Sequence, residues 1–383
     1  MDALRAIAML LGIVLHAVIA YRVFPNAAWP DDSYQWIGYD VLYLWTHSFR
    51  MHVFFLVAGF FARMLYLKIG ERAFIQHRVK RIVVPFAVGV ILLVPLSISP
   101  FLYYRYTEGL GMEVSQALVT TLRGMFGWNG LVHLWFLYYL LMFYIAMIIA
   151  LRLVKLVPSI KNISNRLNFL ADLTNPATVL CIVVAIVALL ASQEKLILEP
   201  YTGIKPDLAQ FSYYGLFFGI GYWIHQRIYL IEKVSRYAIP YLLMGTLLVI
   251  PLTYLYTTAQ TTLDDIGNNY TLLIRTIGAL QTVLLVGGVL GGFIRFFNRE
   301  NQMLRYISDA AYWLYLIHLP LVAWLQVLLL HSPIYGFFRF WVIVTVTAFI
   351  SLLTYQWFVR YTAIGNILHG KRRRTGKKER LVQ

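Results

Sequence analysis

The sequence is poor in charge and has almost no cysteine. Only 13% of its 383 residues are Asp, Glu, Lys or Arg, against 60% hydrophobic ones, a balance that an ordinary soluble domain does not show. The single cysteine, Cys181 in an apolar run, excludes an internal disulfide and a cysteine-built metal site, and reads as a small buried hydrophobe. Acids are scarce within the apolar stretches. Asp2, Asp40 and Asp309 lie near their ends, and none stands near the middle of one. A proton-driven carrier ordinarily needs such a buried carboxylate. The first apolar stretch is not followed by a small-residue cleavage site, so it is expected to remain as a spanning helix. The sequence contains no soluble domain, long linker, low-complexity segment or convincing internal repeat.

Long apolar runs dominate instead. Those long enough to cross about 30 Å of hydrocarbon cover roughly residues 3–22, 41–67, 82–104, 131–151, 177–192, 211–226, 237–257, 270–294, 310–330 and 337–359. This pattern predicts an all-α integral membrane protein, a bundle of about ten transmembrane helices. The helices form one domain over residues 1–370, followed by a basic tail, 371–383. Pro95, Pro251 and Pro320 fall inside runs, where neighbouring helices can absorb the carbonyls they leave over.

Charge between the runs predicts orientation. Cations crowd the connectors after the second, fourth, sixth and eighth runs, from Lys68 to Arg81, Arg152 to Arg166, Arg227 to Arg236 and Arg295 to Arg305, and again the tail KRRRTGKKER. Most acids, among them Asp31, Asp32, Glu108, Glu113, Glu199, Asp207, Asp264 and Asp265, fall on the other connectors. Lys and Arg mark the cytoplasmic side, so both termini are expected there, which is the parity that ten crossings require. The net charge of +16 is therefore chiefly a topological signal and no argument for nucleic-acid binding. The tail can also lean on anionic membrane lipid, at about 1 kcal/mol per nearby cation.

A few ionisable residues lie within the runs. In MDALRAIAMLLGIVLHAVIAY, Arg5 and His16 are separated by ten residues. Eleven helical steps of about 100° return to nearly the same face, about 16 Å along the axis. Ionisable groups at such depth usually mark function. By the same counting His16, His52 and His318 share a layer near mid-membrane. His47 and Arg50, one turn apart in HSFRMHVFF, lie nearer the outer face, and His133 in HLWFL and Arg275 lie at outer ends. Arg5, Arg63 and the cluster HRVKRIVVP, with Arg78, Lys80 and Arg81, face the cytoplasm. Each has a plainer reading. A lone intramembrane histidine can be a helix-packing group, Arg50 and Arg275 can snorkel, and orientation alone can account for Arg78, Lys80 and Arg81.

Taken together the set suits one chemistry. A neutral imidazole can remove a proton from a hydroxyl, and the arginine fork pairs with phosphate and carboxylate. A phosphate-rich donor from inside and a hydroxyl acceptor from outside would meet at the histidine layer, with no metal needed.

The spacing of Arg5 and His16 in LRAIAMLLGIVLH resembles the R-x10-H signature of the acyltransferase 3 family, membrane enzymes that decorate bacterial glycans with acyl groups. Further blocks agree in order: HSFRMHVFFLVAGFF, RVKRIVVP, HLWFL and YLIHLP with His318. The resemblance spans essentially the whole chain. It implies that His16 is catalytic and Arg5 supports it, that the cytoplasmic arginines Arg78 and Arg81, with Lys80 beside them, engage the phosphates of acyl-CoA, and that His47, Arg50, His52, His133 and His318 line the reaction chamber or acceptor side. It further implies a bacterial cytoplasmic (inner) membrane location, succinyl-CoA or acetyl-CoA as donor substrate with no permanently bound cofactor, and a glycan acceptor. Arg50 is a candidate partner for the carboxylate of a succinyl group. Two departures stand out. Ala58 occupies the place before Gly59 where the family often has Ser, and the chain begins almost at Asp2, which leaves a start upstream of Met1 open. Oligomeric state, including a homo-oligomer, is open as well. The rival reading is an exporter that moves a polar or anionic solute through the same layer without chemistry. The missing intramembrane acids and repeats count against it.

Overall fold

The computed structural model describes residues 2–24, 29–261, 267–297, 301–370 and 372. Asp264, Asp265, Arg299 and the basic tail apart from Arg372 lie outside the described residues. Every regular element among the described residues is helical. Seven helical runs are long and apolar enough to cross a membrane: Ala3–Tyr21, Ile37–Gly109, Val114–Leu156, Ala238–Thr261, Asn268–Phe296, Gln302–Leu329 and Gly336–Val359. An eighth results if Asn162–Ala171 and Pro176–Ala191, bent by 103° to one another, form one span.

The count differs from ten for physical reasons. The run Ile37–Gly109 has 73 residues, several times the roughly 20 that one crossing needs, and it takes in two of the expected spans. It is interrupted at Gly70, whose φ of 76° and ψ of 172° are not helical. The helix Leu208–Gln226 forms where a span was expected at 211–226, but Gln210, Ser212, His225 and its tyrosines lower its apolarity. The expected span at 237–257 is present as the run Ala238–Thr261, made of the two helices Ala238–Leu247 and Val249–Thr261. Pro251 has no N–H to offer the carbonyl of Leu247.

The chain folds as two compact units. The first comprises Val18–Gln76 and Asn129–Glu300. Its axis is the helix Asn268–Phe296, which packs on Ala238–Leu247 and Tyr229–Arg236. The sequence VGGVLGGF explains how closely. A Cβ at Gly288 would come within 2.8 Å of the Leu242 nitrogen, and one at Gly291 within 2.7 Å of the Val234 carbonyl oxygen. Small residues let backbones approach where the surrounding lipid gives no hydrophobic drive to association. Cys181, expected to be buried, is exposed on the helix Pro176–Ala191. In a membrane the outward face of so apolar a helix meets hydrocarbon, so an apolar residue has no need of the interior.

The second unit comprises Asp2–Ala17, His77–Trp128 and Asn301–Gln383. The helix Gln302–Leu329 packs against Val84–Tyr104 and Gly336–Thr354. Indole donors fasten it: Trp324 Nε1 donates to Ser99 Oγ at 3.0 Å, and Trp313 Nε1 to Thr354 Oγ1 at 3.0 Å. Arg339, buried at the start of the next helix, donates to the carbonyls of Leu330 at 2.7 Å and Ile334 at 2.9 Å. These are carbonyls at and just beyond the end of a helix, where no intrahelical donor remains.

Candidate functional site

In the second unit Arg5 and His16 lie on one helix, Asp2–Val18, as their spacing requires. Arg5 is exposed and His16 half-buried. His318, 2% exposed on the helix Gln302–Leu329, brings its ring to 5.1 Å from that of His16, centroid to centroid, at an interplanar angle of 43°. His318 Nδ1 lies 3.0 Å from the carbonyl oxygen of Leu314 and 2.8 Å from that of Tyr315. Carbonyl oxygens only accept, so Nδ1 carries the hydrogen and Nε2 the lone pair of the neutral ring. The same helix holds the backbone of the first. Gln326 Nε2 donates to the carbonyl of Ala17 at 2.9 Å and to that of His16 at 3.4 Å.

The basic cluster follows from a local distortion. After the helix Ile37–Arg78 the chain passes through a π-helical turn, Val79–Val83, before Val84–Tyr104 begins. Such turns insert an extra residue and re-aim side chains, often at functional sites. Here they leave Lys80 exposed and Arg78 and Arg81 half-buried. Arg78 and Arg5 both act on Arg81 as like charges, so Arg5 belongs with this cluster. Tyr312 donates its hydroxyl to the Arg81 carbonyl at 2.9 Å. Gly370, at φ 91°, passes so close that a Cβ there would lie 2.8 Å from Arg81 Nη2.

In the first unit the helix carrying His47, Arg50 and His52 is set by glycine contacts. A Cβ at Gly59 would fall 2.0 Å from the Phe218 carbonyl oxygen, and one at Gly221 1.8 Å from that of Leu56. This crossing brings Leu208–Gln226 against the helix and surrounds His52 with Tyr213, Tyr214 and Phe217, at 5.2, 5.3 and 4.7 Å between ring centroids. His52 is 3% exposed. It lines a small pocket of about 30 Å³ together with His47, Ser48, Tyr213, Thr282, Leu44, Leu190 and Leu198. That is room for about two water molecules. His47 lies 2.8 Å from the Leu198 carbonyl through Nε2 and stacks on Tyr43 at 5.4 Å and 12°. Arg50 is half-buried, and its charge acts on Tyr43, His47 and Tyr214. His133 is buried in the short 3-10 turn Val132–Leu134. Val132 enters that turn at φ 48°, unusual for a β-branched residue.

Of the expected residues, the structure brings Arg5, Arg78 and Arg81 into one cationic group and His16 and His318 into ring contact. His47, Arg50 and His52 share a helix in the other unit, where His133 is also held. Arg275, read as a possible snorkel, donates through Nε to the Lys195 carbonyl at 2.7 Å. Sequence reasoning missed Gln326, whose signal was an isolated amide two turns beyond His318 in an apolar run. It also missed the aromatic cage of His52, because tyrosines and phenylalanines occur in most of the runs. No group of three or more His, Cys, Asp or Glu suited to a metal occurs among the described residues.

A family described as an acyltransferase domain matches residues 1–356. The chain is similar to glucans biosynthesis protein C from several Escherichia coli strains. It is 30% identical to that of strain SMS-3-5 / SECEC over 138 residues, 36% of this chain and 34% of the relative. To that of strain K12 it is 29% identical over 137 residues, with the same shares. The matched stretch thus spans about a third of each relative's length. No solved structure matches the chain.

Proposed function

The chain belongs to the acyltransferase 3 family, and on that premise we propose that it moves a short acyl group, succinyl or acetyl, from cytoplasmic acyl-CoA to a hydroxyl of a glycan outside the bacterial inner membrane. A glucan is the proposed acceptor, from the printed name of its relatives. The proposed frame is one membrane-embedded domain over residues 1–370 with ten crossings and both termini cytoplasmic.

Contacts between connectors support that frame. Arg152 bonds Glu71 at 2.6 Å and Lys233 bonds Asp172 at 2.7 Å. Each pair joins two connectors that charge assigns to the cytoplasm. His331 meets Glu108 at 3.0 Å, and Leu131 N–H donates to the Thr202 carbonyl at 2.6 Å. Both contacts join connectors assigned to the outside. Alternating crossings require each such contact to lie on one side.

The observation that carries the reading is the grouping of Arg5 with Arg78 and Arg81 on the helix whose other end holds His16. Guanidinium groups near enough to act on one another suit the phosphates of CoA, with Lys80 as a further point charge. About 16 Å of helix separates Arg5 from His16, a distance that an extended pantetheine arm spans. In the proposed step the neutral His16 imidazole takes the proton of a sugar hydroxyl, whose oxygen forms a bond to the thioester carbonyl carbon. The carbon–sulfur bond then breaks, and the thiolate leaves as CoA with the proton returned by the imidazolium. His318 is proposed to line the reaction chamber beside His16 in the second unit, and His47, Arg50, His52 and His133 to serve the acceptor side within the first, where Arg50 suits the carboxylate of a succinyl group.

The test is His16→Ala at matched membrane expression, read by mass spectrometry of exported glycan. The acyl mass increment present with the wild type is expected to disappear, and its retention would overturn the proposal.

A further inference from the structure

We propose that His318 is the positioning residue of His16: the two rings are in contact without a direct hydrogen bond between them, and as His16 turns to receive substrate its ring donates to His318 Nε2, which fixes the His16 tautomer and stabilises its protonated form. The inference rests on the acyltransfer reading given above and adds a residue role to it.

Geometry supplies the argument. The His318 hydrogen is fixed on Nδ1 by two carbonyls of its own helix, those of Leu314 and Tyr315, at 3.0 and 2.8 Å. The remaining nitrogen is therefore an acceptor. His318 is buried, and its ring contacts those of His16, 5.1 Å away, and of Tyr315 on its own helix, 6.3 Å away. A neutral imidazole carries one N–H and one lone pair. If the His16 N–H is held by His318 Nε2, the lone pair of the other nitrogen is the one presented to substrate, which is the arrangement a general base needs. After proton transfer both His16 nitrogens are donors, and the bond to His318 becomes charge-assisted and stronger. In many hydrolases a carboxylate orients the catalytic histidine in this way. The middle of these apolar runs holds no carboxylate. A second histidine with a fixed tautomer provides the acceptor without placing a permanent negative charge in the membrane, which would be costly. Gln326 reinforces the pair by holding the backbone of the same turn, at Ala17 and His16.

The arrangement makes the amide variants diagnostic. In His318→Asn the side-chain amide can still donate to the Leu314 and Tyr315 carbonyls, but the acceptor toward His16 is lost. In His318→Gln an amide oxygen reaches roughly the place of Nε2. The full chain in lipid nanodiscs is assayed with succinyl-CoA and acetyl-CoA and a soluble glucan oligosaccharide, following release of CoA thiol. His318→Asn is expected to lower kcat by about 10- to 100-fold, less than the roughly 100- to 10,000-fold that a general base contributes as a whole because His16 itself is kept, with KM for acyl-CoA little changed. His318→Gln is expected to recover most of that loss. A second readout needs no turnover: the rate at which diethyl pyrocarbonate modifies His16, followed by peptide mass spectrometry, is expected to fall in the Asn variant and return in the Gln variant. Equal kcat and equal His16 modification in wild type and His318→Asn would overturn the positioning role. So would equal impairment of the Asn and Gln variants in both. Acyl transfer that survives His16→Ala overturns the functional reading instead, which keeps the two failures apart.

Discussion

Asp40 receives the Nε hydrogen of Arg22 at 2.9 Å, and the two side chains are only 2% and 5% exposed. The other carboxylate oxygen of Asp40 accepts the Val23 N–H at 2.8 Å, while the guanidinium lies 4.0 Å over the ring of Tyr43. The pair ties the chain leaving the first helix to the first turn of the helix Ile37–Arg78, where an acid also complements the helix dipole. Breaking one side of a buried pair leaves the other charge without compensation. Asp40→Ala is expected to lower stability by about 3–5 kcal/mol, and replacing both residues by apolar ones by much less. Thermal unfolding in detergent of the two variants and the wild type checks the order, and equal loss in the single and double variants would refute it.

Gly59 and Gly221 form a reciprocal contact in which each would drive a Cβ into the other helix's carbonyl, at 2.0 and 1.8 Å. Neither backbone can retreat without moving the cage around His52. Gly59→Ala and Gly221→Ala are each expected to destabilise the protein by about 1–3 kcal/mol through overpacking. Ala58 is half-buried, and the small Ala58→Ser change, to the residue common at this place in the family, is expected to leave the melting temperature near that of the wild type. Melting curves of the three single variants provide the comparison.

What the sequence made legible divides along physical lines. Helix class and most spans followed from composition, because a bilayer demands satisfied backbones and long apolar runs. The run at 211–226 did form a helix, but one rich in tyrosine falls short of the apolarity of a clear span. The Arg5–His16 pair was legible because helical periodicity is local. The contact of His16 with His318 joins residues some 300 positions apart, and only a shared depth hinted at it. The burial of Arg22 with Asp40 had no signal, since each residue alone reads as a connector charge at a membrane boundary. Cys181 was misjudged because a preference for the interior carries less information where lipid, and not water, covers the outside.

Asp172 and Lys233 give a pH-dependent contribution to the first unit. Burial of Asp172 works to raise its pKa, but hydrogen bonds from Lys233 at 2.7 Å and from the Thr174 hydroxyl and N–H outweigh it and hold the carboxyl below its ordinary value. The hydrogen bond to Asp172 correspondingly holds Lys233 above its own. A depressed carboxyl stabilises the fold above its unfolded pKa of about 4, and the contribution is lost as pH falls through the folded value. The raised ammonium loses its share only at strongly alkaline pH. Asp172→Asn is therefore expected to melt below the wild type by a constant margin between about pH 5 and 8, with the margin closing below about pH 4. A margin that widened in acid would contradict the assignment.

The group formed by Arg5, Arg78 and Arg81 makes opposite predictions for the empty and the ligand-bound protein. Arg81 is partly desolvated and, after that, feels Arg78 and Arg5 as like charges, so in the absence of an anion the group opposes folding locally. Removing one charge by Arg81→Gln is then expected to leave the melting temperature of the ligand-free protein unchanged or raised. A CoA molecule brings phosphates that relieve the repulsion, and a ligand at about 100 times its Kd raises stability by about 2.7 kcal/mol. The wild type should therefore gain several degrees on adding CoA, a gain that shrinks with ionic strength because much of the site is open to solvent. Arg81→Gln should lose most of that gain and show a KM for acyl-CoA raised about tenfold or more, as removal of a charge-assisted phosphate contact implies. A cluster that serves only to orient the chain in the membrane predicts no CoA-dependent gain in either protein. Melting curves with and without CoA, at low and high salt, therefore separate a donor site from a topological signal in the same residues.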